Sequence, residues 1–434
     1  MSSDYNSEIN NKTSDTSSHH PPLGLYKITN IRISEPACIL FAWHISSQDR
    51  VVLKMLFEYQ DTRYDLATVD ERQKCQLEAL KWNRLFTPKI HIGLVHICSW
   101  DRSQELIEID EILENPNIET LAPKTEYALL MRQLPNSRRL DNILTEEANF
   151  RLQRYIQLLV KYVAYIHTKL SVLSIPMEDA EKWGSFGQLQ KKLLHNLEFL
   201  DQIMAMNYND QYSSYYWLKD SLLQVFEQFR YQLYFDQRIK EGRIKRCHAD
   251  LKAPNIWIAP LPLPDSPNKY WYDKEPWRFI YLLDAIDFNP MYGYIDILSD
   301  FAMLVTDIHA RTKSGELADC MIEDYLELTK QRDEVSRLVL AYYLVEKAII
   351  GAAVSILFDK VPDVGLDFLK TAEMRMINLE RQMSKQYHLP AVESPKHSSI
   401  LSAPMVESTF AQEPLPTNLE VVGNLTISPS SQFR

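Results

Sequence analysis

Residues 247–256 read Cys-His-Ala-Asp-Leu-Lys-Ala-Pro-Asn-Ile, and an apolar run, Phe279-Ile280-Tyr281-Leu282-Leu283, ends in Asp284. Two more carboxylates follow, Asp296 and Asp300, in Tyr294-Ile295-Asp296-Ile297-Leu298-Ser299-Asp300. Phosphoryl transfer asks for such a set. Its transition state spreads negative charge over the phosphoryl oxygens, so a protein must position cations and orient a nucleophile. One carboxylate beside an acceptor hydroxyl takes its proton. A second carboxylate and a carboxamide oxygen can hold Mg2+, a hard ion that wants oxygen ligands. The spacing lets Asp250 and Asn255 share one tight loop, with His248 bracing it. Asp284, at a strand end, can meet Asn255 across the metal. A lysine from elsewhere should reach the α- and β-phosphates of ATP. Lys54 sits inside the apolar run Val51-Val52-Leu53-Lys54-Met55-Leu56, where a cation breaks the pattern and needs a reason.

Each residue has a plainer structural reading. Asp250 could be a turn residue, His248 a satisfied core histidine, Asp284 a strand end or helix cap, and Lys54 a solvent-facing lysine on an edge strand. The combination, in this order and on these elements, carries the chemical reading.

The elements that must position these residues fall into two unlike regions. From about 25 to 135 the signals are mostly strand-like. Ile39–Ala42, Val51–Leu56, Ile90–Ile97 and Tyr127–Met131 are short apolar runs, and a helical stretch, Asp70–Leu85, lies among them. Beyond about 140 the pattern is helical. Leu152, Tyr155, Ile156, Leu159, Val163 and Ile166 recur at helical spacing. Amphipathic segments follow at Phe186–Met204 and Trp217–Tyr234, and helices resume at Asp300–Ala310 and Val335–Leu357. A small β insert, Asn255–Ile258 with Phe279–Leu283, carries the polar chemistry. The fold class is therefore α+β, with no internal repeat. The divisions are a polar tail at 1–24 expected to be disordered, a β-rich region at 25–135, a mainly helical region at 136–388, and a Ser/Pro-rich tail at 389–434 expected to be disordered.

The chain has 434 residues, 45% hydrophobic and 24% charged, enough for a sizeable core. Its net charge of -11 argues against a non-specific nucleic-acid binder, whose affinity rests on phosphate contacts. The five cysteines, Cys38, Cys75, Cys98, Cys247 and Cys320, are dispersed and form no CxxC pair, which suits reduced thiols in the cytoplasm. The N-terminal region lacks the apolar segment of a secretory signal. No run reads as the ~20 apolar residues of a membrane span, so no membrane partner is expected.

The pattern H-x-D-x4-N followed by a strand-ending Asp resembles the catalytic and metal-binding loops of aminoglycoside phosphotransferase-like kinases. The likeness extends to one bacterial subgroup often fused to a P-loop ATPase. Gly242-Arg243-Ile244-Lys245-Arg246-Cys247-His248, Leu283-Asp284-Ala285-Ile286-Asp287-Phe288-Asn289 and the segment Ile295–Leu304 resemble its motifs. More loosely, Cys75 through Pro88, His91-Ile92-Gly93-Leu94-Val95 and Glu126–Arg132 resemble its helix C, following strand and hinge strand. The resemblance covers about Tyr26 to Met383. It implies a protein-kinase-like two-lobe fold, with a small β-rich N-lobe holding one main helix and a larger helical C-lobe holding the catalytic β insert. It implies ATP and Mg2+ as cofactors, Asp250 as base, Asn255 and Asp284 as metal ligands, and Lys54 on the ATP phosphates. Glu78 becomes the ion-pair partner of Lys54, Met131 a hinge residue, and Asp296 and Asp300 braces for the loops.

There are departures. His-Gly-Asp is the common form of the loop, and here Ala249 stands in the middle. No GxGxxG occurs among only 10 glycines, so another loop must clamp the phosphates. No GxxxxGK[ST] occurs, so the chain resembles the kinase half alone, which leaves room for a separate P-loop ATPase partner. The acceptor is a small molecule that the sequence does not identify, and the acidic total would suit a cationic one. The rival functions are a catalytically weak or inactive nucleotide-binding module and a scaffold whose acidic loops are purely structural.

Overall fold

The computed structural model describes residues 21–387 except 35, 61–64, 88, 147–148, 171–172, 206–214, 260–278, 288–289 and 359–360. Residues 1–20 and 389–434 of the two expected tails, and Phe288 and Asn289 of the Asp-Ala-Ile-Asp-Phe-Asn motif, lie outside the described residues.

The first region is a barrel. Strands β1 (Gly24–Ser34), β2 (Ala37–His44), β3 (Arg50–Leu56), β4 (His91–Asp101), β5 (Leu106–Leu113) and β6 (Tyr127–Arg132) close in the order β1-β2-β3-β6-β4-β5. Closure follows from β1 pairing with β5 antiparallel, Tyr26 opposite Ile107, which leaves no open edge. Alternation sends Leu40, Val51, Leu53, Val95, Ile107 and Leu130 into a dry interior. Lys54, one residue on from Leu53, therefore leaves the barrel on its outer side. It is no edge-strand lysine, because Ile39 of β2 and Leu129 of β6 flank it.

Helix α1 (Val69–Phe86) lies outside the barrel. Thr68 accepts from the Glu71 amide while Glu71 accepts from the Thr68 amide, a reciprocal cap on two otherwise orphaned donors. The helix buries Arg72, Gln76, Ala79, Leu80 and Asn83, which share one face.

The second region is mainly helical. It contains α2 (Leu140–Glu146), α3 (Asn149–Lys169), α4 (Met177–Gly184), α5 (Phe186–Ala205), α6 (Tyr215–Tyr231) and α7 (Tyr234–Lys240). The expected helix through Tyr234 is divided in two, with Leu233 in the left-handed region at φ 55°. Three short strands, β7 (Ile244–Arg246), β8 (Ile256–Ile258) and β9 (Ile280–Leu282), precede the single turn α8 (Pro290–Gly293) and β10 (Tyr294–Asp296). Strand β7 pairs with β10, and β8 with β9. The chain then forms α9 (Ile297–Thr312), α10 (Gly315–Leu328), α11 (Glu334–Ala353) and α12 (Pro362–Tyr387). The molecule is mixed helix and sheet, as the α+β assignment requires.

The helical core is one cluster centred on α3, α9, α11 and α12. The segment Glu334–Leu357 is long and apolar enough to cross a membrane by length and composition, contrary to the sequence reading, and 78% of its most apolar window is buried inside the molecule. It is accounted for as the central core helix. Helices α11 and α12 approach through glycine. A Cβ on Gly351 would lie 2.5 Å from the Phe368 ring, and one on Gly365 2.4 Å from Ile356. Gly351→Val should therefore overpack this contact and cost about 2–3 kcal/mol. The check is a urea midpoint shifted downward at unchanged slope, and an unmoved midpoint would contradict the packing described.

Candidate functional site

The loop after β7 is held from behind by one carboxylate. Asp300, on the first turn of α9, is fully buried and accepts from the backbone amides of His248 (3.2 Å) and Ala249 (2.8 Å). His167 of α3 completes the set, its Nε2 lying 3.1 Å from Asp300, while its Nδ1 lies 2.7 Å from the Tyr325 hydroxyl. Burial alone would raise the Asp300 carboxyl. The His167 hydrogen bond and the Ala249 amide bring it below its ordinary value. For two successive amides to reach one carboxylate, Ala249 sits at φ 69°, a conformation that suits glycine better than alanine. This is the position where the sequence departs from His-Gly-Asp.

His248 is buried beside the Phe86 ring, and its Nδ1 accepts from the Asp250 amide at 3.3 Å. Burial lowers its pKa, so the ring is neutral. Asp250 follows on the open side of the loop. Its Oδ2 accepts from Asn255 Nδ2 at 2.8 Å and from Lys252 Nζ at 3.1 Å. A short 3-10 turn, Ala253–Asn255, brings Asn255 back to Asp250. Asp307, seven residues beyond Asp300 on α9, holds this turn by accepting from the Ala253 amide at 2.7 Å.

Asp284 arrives from the other side of the small sheet. Ile256 stands opposite Leu282, and the Leu283 amide donates to the Asn255 carbonyl. The Ile286 amide donates to the His248 carbonyl, so the segment after β9 is laced to the loop at both ends. Asp284 adopts φ 61°. Its carboxylate reaches Lys54 Nζ at 3.2 Å, across 230 positions of sequence. Lys54 is 23% and Asp284 62% exposed, so this pair is open to solvent. The Lys54 ammonium holds the Asp284 carboxyl below its usual value.

The structure thus brings Lys54, His248, Asp250, Asn255 and Asp284 to one place. Glu78 is the exception. It accepts from Trp82 Nε1 at 2.6 Å and pairs with Lys81, on the side of α1 turned away from the buried face. The expected Glu78–Lys54 pair is replaced by Lys54–Asp284. The contact from α1 to β3 is Gln76, whose Nε2 donates to the Lys54 carbonyl at 2.8 Å. Met131 lies near the end of β6, opposite Val52 of β3 and His91 of β4. Asp296 caps α9 through the Leu298 amide and takes a two-pronged bond from Arg238 of α7, both side chains fully buried.

The sequence reading missed several residues. Lys252 was inside the quoted motif, and its positive charge two places after Asp250 was a usable signal. Asn83 accepts from the Ala285 amide and donates to Asp287, tying α1 to the segment after Asp284. His167, Gln76 and Asp307 reveal themselves only through three-dimensional proximity. Asp287 lines a cleft of about 400 Å³ with Cys75, Glu78, Trp82, Arg246 and Tyr294. Burial, against the opposing Lys54 charge, pushes its carboxyl up to about 6.

Asn255 commits its amide nitrogen to Asp250, which leaves its oxygen as a ligating atom. With the ionised Asp284, the donors are hard oxygens of the kind Mg2+ prefers, so the residues fit that ion.

No family model and no curated protein matches the chain. Among solved structures it is similar to choline kinase from Cryptosporidium parvum Iowa II at 12% identity and TM-score 0.42, over 84% of this chain and 90% of that one. It is similar to a Plasmodium vivax ethanolamine kinase at 11% identity and TM-score 0.42, over 86% and 85%. It is also similar to a spectinomycin phosphotransferase in complex with ADP and spectinomycin, at 14% identity and TM-score 0.39, over 81% and 92%.

Two outcomes follow from the geometry. Ala249→Gly relieves the left-handed alanine and should raise stability by about 0.5–1 kcal/mol, read as a higher urea midpoint. A lower midpoint would show that the loop is unstrained. Asp287 has a folded pKa above its unfolded value, so the native state binds more protons between about pH 4 and pH 6. Stability is lost as pH rises through that window. Asp287→Asn should flatten this slope and stabilise the protein at pH 8 by roughly 1–3 kcal/mol. Thermal melts of both proteins from pH 4 to pH 8 decide it, and parallel curves would contradict it.

Proposed function

We propose that the chain is an ATP-dependent phosphotransferase of protein-kinase-like two-lobe architecture, moving the γ-phosphate to a hydroxyl of a small-molecule acceptor. The observation that carries the reading is the contact of Lys54 with Asp284 beside the loop that holds Asp250 and Asn255. Four residues of the types phosphoryl transfer needs, drawn from three stretches of sequence, gather at this solvent-open pair.

In this reading Lys54 binds the ATP phosphates. Asn255 through its oxygen, together with Asp284, would hold Mg2+, which when bound neutralises charge on the phosphate oxygens. Asp250 is the base. Asn255 and Lys252 both bind its Oδ2, so Oδ1 remains to accept the acceptor's hydroxyl proton. The acceptor oxygen then bonds to the γ-phosphorus as the bond to the ADP oxygen breaks, and the proton resides on Asp250. Neutral His248 fixes the loop backbone and takes no proton. Asp296 and Asp300 keep α9 and the loop in register. Met131 serves as hinge beside the nucleotide.

A second reading is a nucleotide-binding regulatory module with weak or no turnover. One observation favours it: Glu78, the α1 carboxylate expected on Lys54, is taken up by Lys81 and Trp82.

Mg2+ with ATP should raise the melting temperature under both readings, because a ligand that prefers the native state stabilises it. Asp250→Ala should keep that shift and lower ADP release, measured with a panel of small alcohols, by about 10²–10⁴-fold. ADP release unchanged by the substitution would remove Asp250 from the chemistry. No shift with Mg-ATP would remove both readings.

A further inference from the structure

A second cavity, of about 350 Å³, lies behind the loop, with neither Lys54 nor Asp284 in its lining. Its lining gathers cations from three separate segments. Lys169 comes from the end of α3, Arg243 and Lys245 from β7 and the turn before it, and Lys330 from the turn after α10. Glu241 is the one carboxylate in the lining. Four cations thus face one anion, in a chain whose net charge is -11. Arg243 pairs with Glu241 at 3.3 Å. No carboxylate lies within ion-pair distance of Lys169, Lys245 or Lys330 among the described residues. Positive charges at helix C-termini are favourable, which accounts for Lys169 and Lys330 singly. It does not account for their convergence with Arg243 and Lys245, which repel them and one another.

Lys245 is the built part of the site. Its ammonium is half-buried and donates to the His167 carbonyl at 2.7 Å, which fixes the direction of the side chain. One of its three protons is used there and two remain. Burial lowers its pKa and the Arg243 charge lowers it further, so an anion entering the cavity relieves an existing repulsion. The guanidinium of Arg243 presents a planar fork of the kind that grips phosphate oxygens. We propose that this cavity binds a small phosphate-bearing ligand, at a site distinct from the Lys54–Asp284 pair. Its wall includes His167, the residue that bonds Asp300 and so reaches the amides of His248 and Ala249. The proposal does not depend on the phosphotransfer reading.

The test uses the full chain carrying Lys54→Met, so that phosphate binding beside Asp284 is weakened. Calorimetric titration with inorganic pyrophosphate, without Mg2+ and at ionic strength held constant with chloride, should show saturable binding. Adding Lys169→Gln and Lys330→Gln, both exposed, should weaken it by about tenfold or more while leaving the ligand-free melting temperature unchanged. Parallel titrations with inorganic phosphate and glycerol 3-phosphate separate the sources. Tighter binding of the ester identifies a phosphate ester, and tighter binding of the free ion identifies inorganic phosphate. No saturable binding to the Lys54→Met protein, or binding indifferent to the two lysine substitutions, would overturn the proposal.

Discussion

A single buried carboxylate organises the loop on which everything else rests. Asp300 collects two adjacent backbone amides and one imidazole nitrogen, and that geometry sets the path of residues 248–250. The left-handed Ala249 is the local cost, of about 1–2 kcal/mol for an alanine. Two hydrogen bonds to a charged acceptor, each worth about 1.5–3 kcal/mol, outweigh it. Asp307 holds the far end of the same loop through Ala253. Residues 300 and 307 are two helical turns apart, so one face of α9 grips both ends of the loop. The helix is itself anchored at its start by the buried Asp296–Arg238 pair, and Arg238 also reaches Ser336 at the start of α11.

The barrel meets this assembly through few but specific contacts. Lys54 leaves the outer side of β3 and pairs with Asp284. Gln76 fixes the backbone at Lys54, and Asn83 fixes the backbone just after Asp284. Both amides sit on the buried stripe of α1, so the helix sets the spacing between the lysine and the aspartate. Neutral side chains do this work.

Much of this was legible in the residues. The apolar runs Val51–Leu56 and Tyr127–Met131 became β3 and β6 because their alternation fills a dry barrel. The strands β1 and β5 were not legible. Ile31 and Ile33 of β1 are 45% and 70% exposed, and Glu108, Asp110 and Glu111 interrupt β5, so neither shows a clean period of two. Barrel closure depends on pairing residues about eighty positions apart, which no local pattern encodes. The last helix, α12, did carry a signal, since Phe368, Leu369, Ala372, Met376, Leu379 and Met383 recur at helical spacing. At the site, Lys54, Asp250, Asn255 and Asp284 stood out because polar types interrupt or end apolar runs. Glu78 misled because its role depends on helix phase. Two residues from Gln76 is about 200° around the axis, which carries Glu78 away from the buried stripe. His167 and Asp307 act through distant partners, and their sequence neighbourhoods are those of ordinary buried helices.

The most direct test of the account is a crystal structure with Mg2+ and a non-hydrolysable ATP analogue. The account predicts the cation between the Asn255 side-chain oxygen and Asp284, the phosphates against Lys54, and Asp250 facing the terminal phosphate. A nucleotide bound away from Lys54, or a cation that ignores both Asn255 and Asp284, would contradict it.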